Sequence, residues 1–154
     1  MDRGVSMPIL QVSVYLDNRP GSLSEAMSQL DKNQIQVFAL SIADAGEFGL
    51  VRMVTDDPEK ATKVLEDVDY TLAKSKRNTE VTAVFMGDED KISKITKILA
   101  ESSINIEYAY SSAVHVNGKI ALILRASDME NTEKTLKANG ITVLTLTEIK
   151  KYFR

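Results

Sequence analysis

Residues 9–30, "ILQVSVYLDNRPGSLSEAMSQL", change period halfway. Up to Leu16 apolar and polar residues alternate, as on a strand with one buried face. From Leu23 onward, Leu23, Ala26, Met27 and Leu30 share one side of a helix. Between the two patterns stands "DNRPG", residues 17–21, which is Pro-Gly turn chemistry. A strand that turns directly into a helix opens a mixed α and β unit, and the order of the later elements decides which kind.

Two more strands and a second helix come next. "IQVFALSIA" (35–43) and "GLVRMVT" (49–55) flank a Gly-containing segment, a hairpin signal. "DDPEKATKVLED" opens with Asp and Pro, as a helix start does, and aligns Ala61, Val64, Leu65 and Val68. "YTLAKS" reads as a short closing strand. The same order then recurs. "EVTAVFM" (80–86) is a strand, and "DEDKISKITKILAESS" a helix with Ile92, Ile95 and Leu99 on its apolar face. "INIEYAYSSAVHV" and "KIALILRA" flank Asn117-Gly118, a strong hairpin signal. "SDMENTEKTLKANG" is a helix with Gly140 past its end, and "ITVLTLT" closes as a strand. Leu30 matches Leu99, Ile35 matches Ile104, Val37 matches Ile106 and Leu65 matches Leu136, at an offset of about 70. The chain therefore predicts an α+β fold of two tandem ferredoxin-like βαββαβ domains, residues 7–75 and 79–149, with a boundary near 74–78. Each unit alone has a thin core.

Composition bounds the function. The 154 residues carry a net charge of −3 and include no cysteine, which excludes disulfides, thiolate metal sites and cysteine nucleophiles. The acidic balance argues against nucleic-acid binding, and the basic clusters at 74–77 and 150–154 read as linker and tail. No apolar run reaches membrane-spanning length and no signal peptide is visible, so no membrane partner and a cytoplasmic location are expected. Residues 1–6 read as a frayed leader. His115 is a lone histidine without partners at metal-ligand spacing, and the acidic run Asp88–Asp90 lacks a calcium-loop pattern, so neither metal nor cofactor is expected. No nucleophile, acid/base pair or phosphate-binding motif converges, so no catalytic residue is named.

"VYLDNRPGSLSEAMSQLDKNQIQV" and "SIADAGEFGLVRMVTDDPEKA" in the first half resemble the ACT domain, and "AESSINIEYAY" in the second carries its other signature. The resemblance covers residues 8–149. It implies a regulatory, allosteric module that binds an amino acid or similar small molecule. It also implies sheets joined side by side through second strands, giving eight strands with the helices on one face. The ligand would sit at that interface, and sheet edges would allow a homodimer.

The residues of the opening loop leave two readings. Ser22 and Glu25 have the spacing of a capping box, which makes "DNRPGSLSE" a capped turn. Alternatively, the helix N-terminus offers amides to a carboxylate, with Pro20 and Gly21 shaping the approach, Asn18 donating and accepting, and Asp17 facing an ammonium. The resemblance favours the second reading, with Asp17, Asn18, Arg19, Pro20, Gly21, Ser22 and Leu23 in the site. The second half has "MGDEDKIS" there, whose carboxylates repel an anion. It keeps Asn105 on its second strand, where the first half has Gln36. Asn105, Ile106 and Tyr108 are therefore expected to complete one composite site per chain. A ligand-free module that regulates a partner enzyme is the alternative, and a small ferredoxin-like enzyme a weaker one.

Overall fold

The computed structural model describes residues 8–68, 70–72, 79–87, 91–115 and 118–152, with only the backbone described at 71, 72 and 152. The chain forms two compact units, one built on residues 10–79 and the other on residues 80–152.

The first unit contains β1 (Ile9–Asp17), α1 (Ser22–Lys32), β2 (Val37–Ala45), β3 (Phe48–Thr55), α2 (Pro58–Asp67) and β4 (Thr71–Leu72). β1 lies between β3 and β4, and β3 carries β2 on its other side, all antiparallel. This is the ferredoxin-like order. Val12, Val14 and Leu16 of β1 point one way, with Val51 and Met53 of β3, and meet Ala26 and Leu30 of α1 and Ala61 and Leu65 of α2. Both helices thus cover one face of the sheet. The β2–β3 turn is tighter than the sequence implied. Ala45 pairs with Phe48, leaving Gly46 and Glu47 as a two-residue loop. Gly46 takes the positive φ that a right-twisted hairpin needs.

The second unit contains β5 (Thr79–Phe85), α3 (Ile92–Glu101), β6 (Ile106–Ser111), β7 (Ala121–Ala126), α4 (Met129–Ala138), β8 (Val143–Leu144) and α5 (Leu146–Tyr152). β5 pairs with β7 and β8, and β7 with β6, in the same order as the first unit. Ile95, Leu99 and Leu136 pack against Val84, Leu122, Leu124 and Ala126.

The internal repeat extends to single hydrogen bonds. After α1, the Ile35 amide bonds to the Leu30 carbonyl and the Gln34 amide to the Asp31 carbonyl. After α3, Ile104 bonds to Leu99 and Ser103 to Ala100. After α4, Ile141 bonds to Leu136 and Gly140 to Lys137. Each is the paired Schellman cap, in which an αL residue satisfies carbonyls orphaned by the helix end. The repeated leucines are the positions whose carbonyls close these caps. Asp57 and Asp128 cap α2 and α4 alike, each accepting from an amide in the first turn. β2 and β6 share a bulge after Val37 and Ile106.

Three expectations need correction. The closing strand is only Val143–Leu144, and the segment expected as strand end and tail is α5. Thr145 and Glu148 form a reciprocal capping box: the Thr145 amide donates to Glu148 Oε1 at 2.9 Å, and the Glu148 amide to Thr145 Oγ1 at 3.1 Å. Leu146 and Ile149 are buried. Ile92, expected on the apolar face of α3, is 57% exposed: it opens the first turn of the helix, and the residues α3 buries are Ile95 and Leu99. Val68 is exposed because α2 has already ended at Asp67. The boundary at 74–78, the acidic run 88–90, the leader 1–6 and Asn117 lie outside the described residues. Among the described residues no helix is long and apolar enough to cross a membrane.

Candidate functional site

The loop after β1 is tied down by Asn18. Its amide N–H bonds to the Glu47 carbonyl at 2.9 Å, and its side chain donates to the Gly46 carbonyl at 3.0 Å and to Asp44 Oδ1 at 3.3 Å. Asp44 Oδ1 also accepts from the Gly46 amide at 3.0 Å. The Asn18 amide group is thereby committed to bracing the loop against the β2–β3 turn. Arg19 lies between two carboxylates, 3.7 Å from Asp17 and 3.6 Å from Glu25. Both pairs are solvent-exposed, so each is worth at most about 1 kcal/mol and is easily rearranged.

α1 does not begin as a capping box. The helix starts at Ser22, so Gly21 occupies the N-cap with φ 91° and makes no side-chain hydrogen bond there. Ser22 stands one position too late to cap, and Glu25 turns to Arg19 instead. A Cβ on Gly21 would meet nothing within 4 Å, so glycine serves the left-handed conformation here. The consequence is an uncapped N-terminus. Among the described residues the Leu23 and Ser24 amides have no acceptor, while the Ser22 amide is taken by the Arg19 carbonyl. The first amides of a helix carry partial positive charge and attract anions.

Ser22 and Leu23, at this helix start, line a cavity of about 150 Å³. Its polar lining is Asp17, Asn18, Arg19 and Ser22, and its apolar lining is Leu16, Leu23, Ile42, Gly49 and Val51. Ser22 is only 6% exposed, and among the described residues its Oγ has no hydrogen-bond partner. Thr55 and Thr82 also hold unpartnered buried hydroxyls, but only Ser22 lines this cavity. Tyr70, packed against the core of the same unit, titrates above its ordinary value near 10, chiefly through burial, with Glu25 adding to the rise and Arg19 opposing it.

Asp17 through Leu23 are thus gathered at one place, although Asn18 acts as a brace and Pro20 and Gly21 are not part of the cavity wall. In the second unit, Asn105 is exposed on the segment entering β6; its backbone N–H donates to Ser127 Oγ and its carbonyl accepts from the Ser127 amide. Gln36 has the same exchange with Asp56, so the two amides are equivalent positions. Ile106 packs into the helix-facing core. The bulge puts Tyr108 opposite Arg125, one strand over. His115 is exposed, and among the described residues no group of His, Cys, Asp or Glu is disposed to hold a metal. Sequence reading missed Ile42, Asp44, Gly49 and Val51. Counting register outward from Gly46 as the hairpin turn finds them, since Asp44 pairs with Gly49 and Ile42 with Val51.

Comparison with known proteins agrees with this architecture. The chain resembles protein BT0572 from Bacteroides thetaiotaomicron, with 28% identity, a TM-score of 0.82, and coverage of 95% of this chain and 98% of that one. The regulatory subunit of aspartate kinase from Thermus thermophilus, in a ligand-free form, shares the fold at 18% identity and a TM-score of 0.59, covering 85% and 89%. The corresponding subunit from Thermus flavus does so at 18% and 0.53, covering 86% and 95%. No curated protein matches the chain. The ACT domain pair pattern matches residues 7–151, and with its duplicated βαββαβ units the chain belongs to that family.

Proposed function

We propose that this protein is a non-catalytic regulatory module that binds a free amino acid, or a zwitterion of similar size, at the N-terminus of α1. Family membership supports a regulatory ligand-binding role. The observation that carries the reading is Ser22, which lines a cavity at the uncapped helix start with its hydroxyl buried and, among the described residues, unpartnered. A buried hydroxyl without a partner costs about 1–3 kcal/mol, and a ligand oxygen would recover it. The Leu23 and Ser24 amides and Ser22 Oγ take the carboxylate. Asp17 takes the ammonium, and Arg19 exchanges one of its surface carboxylates for that of the ligand. In this reading the ligand is a cytoplasmic metabolite and the response passes to a partner enzyme.

A thermal-shift screen against the twenty common amino acids tests it. A ligand at 100 times its Kd adds about 2.7 kcal/mol, which for a chain of this size raises Tm by roughly 5–10 °C. One or more amino acids should do so. No shift with any of the twenty contradicts the proposal and favours a module that acts only by docking to a partner.

A further inference from the structure

The cavity at α1 is lined by both polar and apolar residues. Asp17 and Arg19 have side chains 65% and 52% exposed. The apolar wall is Leu16, Leu23, Ile42, Gly49 and Val51, without an ionisable group. Leu16 and Val51 are buried, but Ile42 is 51% exposed although it faces the helix side of the sheet with Val51. β2 thus leaves an isoleucine half-uncovered where a core contact is due. Gly49 enlarges the space beside it: a Cβ there would reach Ile42 Cγ2 at 3.7 Å, an ordinary contact.

We infer that the ligand of this site is an amino acid with an uncharged aliphatic side chain, isoleucine, leucine or valine in kind, seated against Ile42 and in the gap left by Gly49. The inference rests on the binding reading above and sharpens it. A lysine or aspartate side chain against this wall would lose water without gaining a partner charge, which is strongly unfavourable. A glycine ligand would leave the wall exposed. The cavity, polar and apolar lining together, is about 150 Å³, which limits the site to a small ligand. Each methylene that fits an apolar pocket changes affinity by roughly 10–200-fold.

Isothermal titration of the full chain with L-isoleucine, L-leucine, L-valine, L-alanine, glycine, L-lysine and L-aspartate tests this. An aliphatic member should bind at least tenfold tighter than alanine, and lysine and aspartate weakest. The Gly49→Ala variant places a methyl in the gap without positive-φ strain. It should weaken the best aliphatic ligand by about tenfold or more and leave alanine binding within a few-fold. Ile42→Ser, at a half-exposed position, should weaken the same ligand while Tm without ligand barely moves. Tightest binding of lysine or aspartate, abolished by Ser22→Ala, overturns the inference and leaves the binding reading standing. Silence from all seven ligands overturns the inference, and the binding reading falls with it only if the other common amino acids are silent too. Aliphatic binding indifferent to Gly49→Ala and Ile42→Ser places the side chain elsewhere and also overturns it.

Discussion

Ser22 carries two opposed tasks at once. It begins α1 and lines the cavity, yet its hydroxyl is buried with no partner among the described residues, so the unliganded protein bears the cost of a desolvated donor. Ser22→Ala is therefore expected to raise Tm of the unliganded chain, by up to about 1 kcal/mol in stability, and to remove most of the ligand-induced shift. Differential scanning calorimetry with and without ligand reads both. Loss of stability in the unliganded variant would show that the hydroxyl has a partner after all. Tyr70 gives a pH signature. Its phenol titrates above its ordinary value, chiefly through burial. Above pH 10 the unfolded chain loses this proton before the folded one does, so folding stability falls as pH rises through the folded-state pKa. Tyr70→Phe should flatten that alkaline fall in urea titrations between pH 9 and 11.

At the level of elements, the helix ends separate the legible from the hidden. Pro58, Asp57 and Asp128 mark their helix starts correctly, because Asp at an N-cap has few competing uses in that context. "SLSE" and "TLTE" carry the same spacing, but only Thr145 and Glu148 make the box. Gly21, in left-handed conformation, takes the N-cap itself and shifts Ser22 into the helix, an outcome the spacing alone does not reveal. The start of the last helix reads as strand from its sequence, but alternation over so short a run does not outweigh a cap. Thr145→Ala should then destabilise the chain by about 1 kcal/mol in urea unfolding, whereas Glu25→Ala should leave it nearly unchanged. The Schellman caps give a converse case. Gln34 and Ser103 sit at φ 60° and 57°, where a Cβ costs about 1–2 kcal/mol, while the matching cap of α4 uses Gly140. Gln34→Gly and Ser103→Gly should each stabilise the chain by up to about 1 kcal/mol, and Gly140→Ala should destabilise it by a similar amount.

Across the whole molecule, two units share wiring and differ in chemistry. The repeated leucines, the caps and the bulges recur at matching places, and this redundancy makes the duplicated fold readable. The site is readable only as a loop. Ile42, Gly49 and Val51 of its apolar wall come from β2 and β3, which are distant in sequence and enter through hairpin register rather than through any motif. Asn18 has the chemistry of a ligand group and is a brace, a distinction that depends on where Asp44 and Gly46 fall. Because the second unit has "GDEDKIS" where the first has "DNRPGSLSE", one ligand per chain is expected. Calorimetric stoichiometry near one checks this, and a value near two contradicts it. Asn105→Ala reports separately whether the second unit contributes to affinity.

Binding of a small zwitterion at the uncapped start of α1 underlies the ligand-dependent expectations. It is best tested by an amide NMR titration of the 15N-labelled chain with a mixture of the twenty common amino acids. The largest shifts should fall on Leu23 and Ser24, with smaller ones at Asp17–Ser22, Ile42 and Gly49. Unchanged spectra, or shifts centred on the start of α3 and absent from α1, would refute binding at this helix.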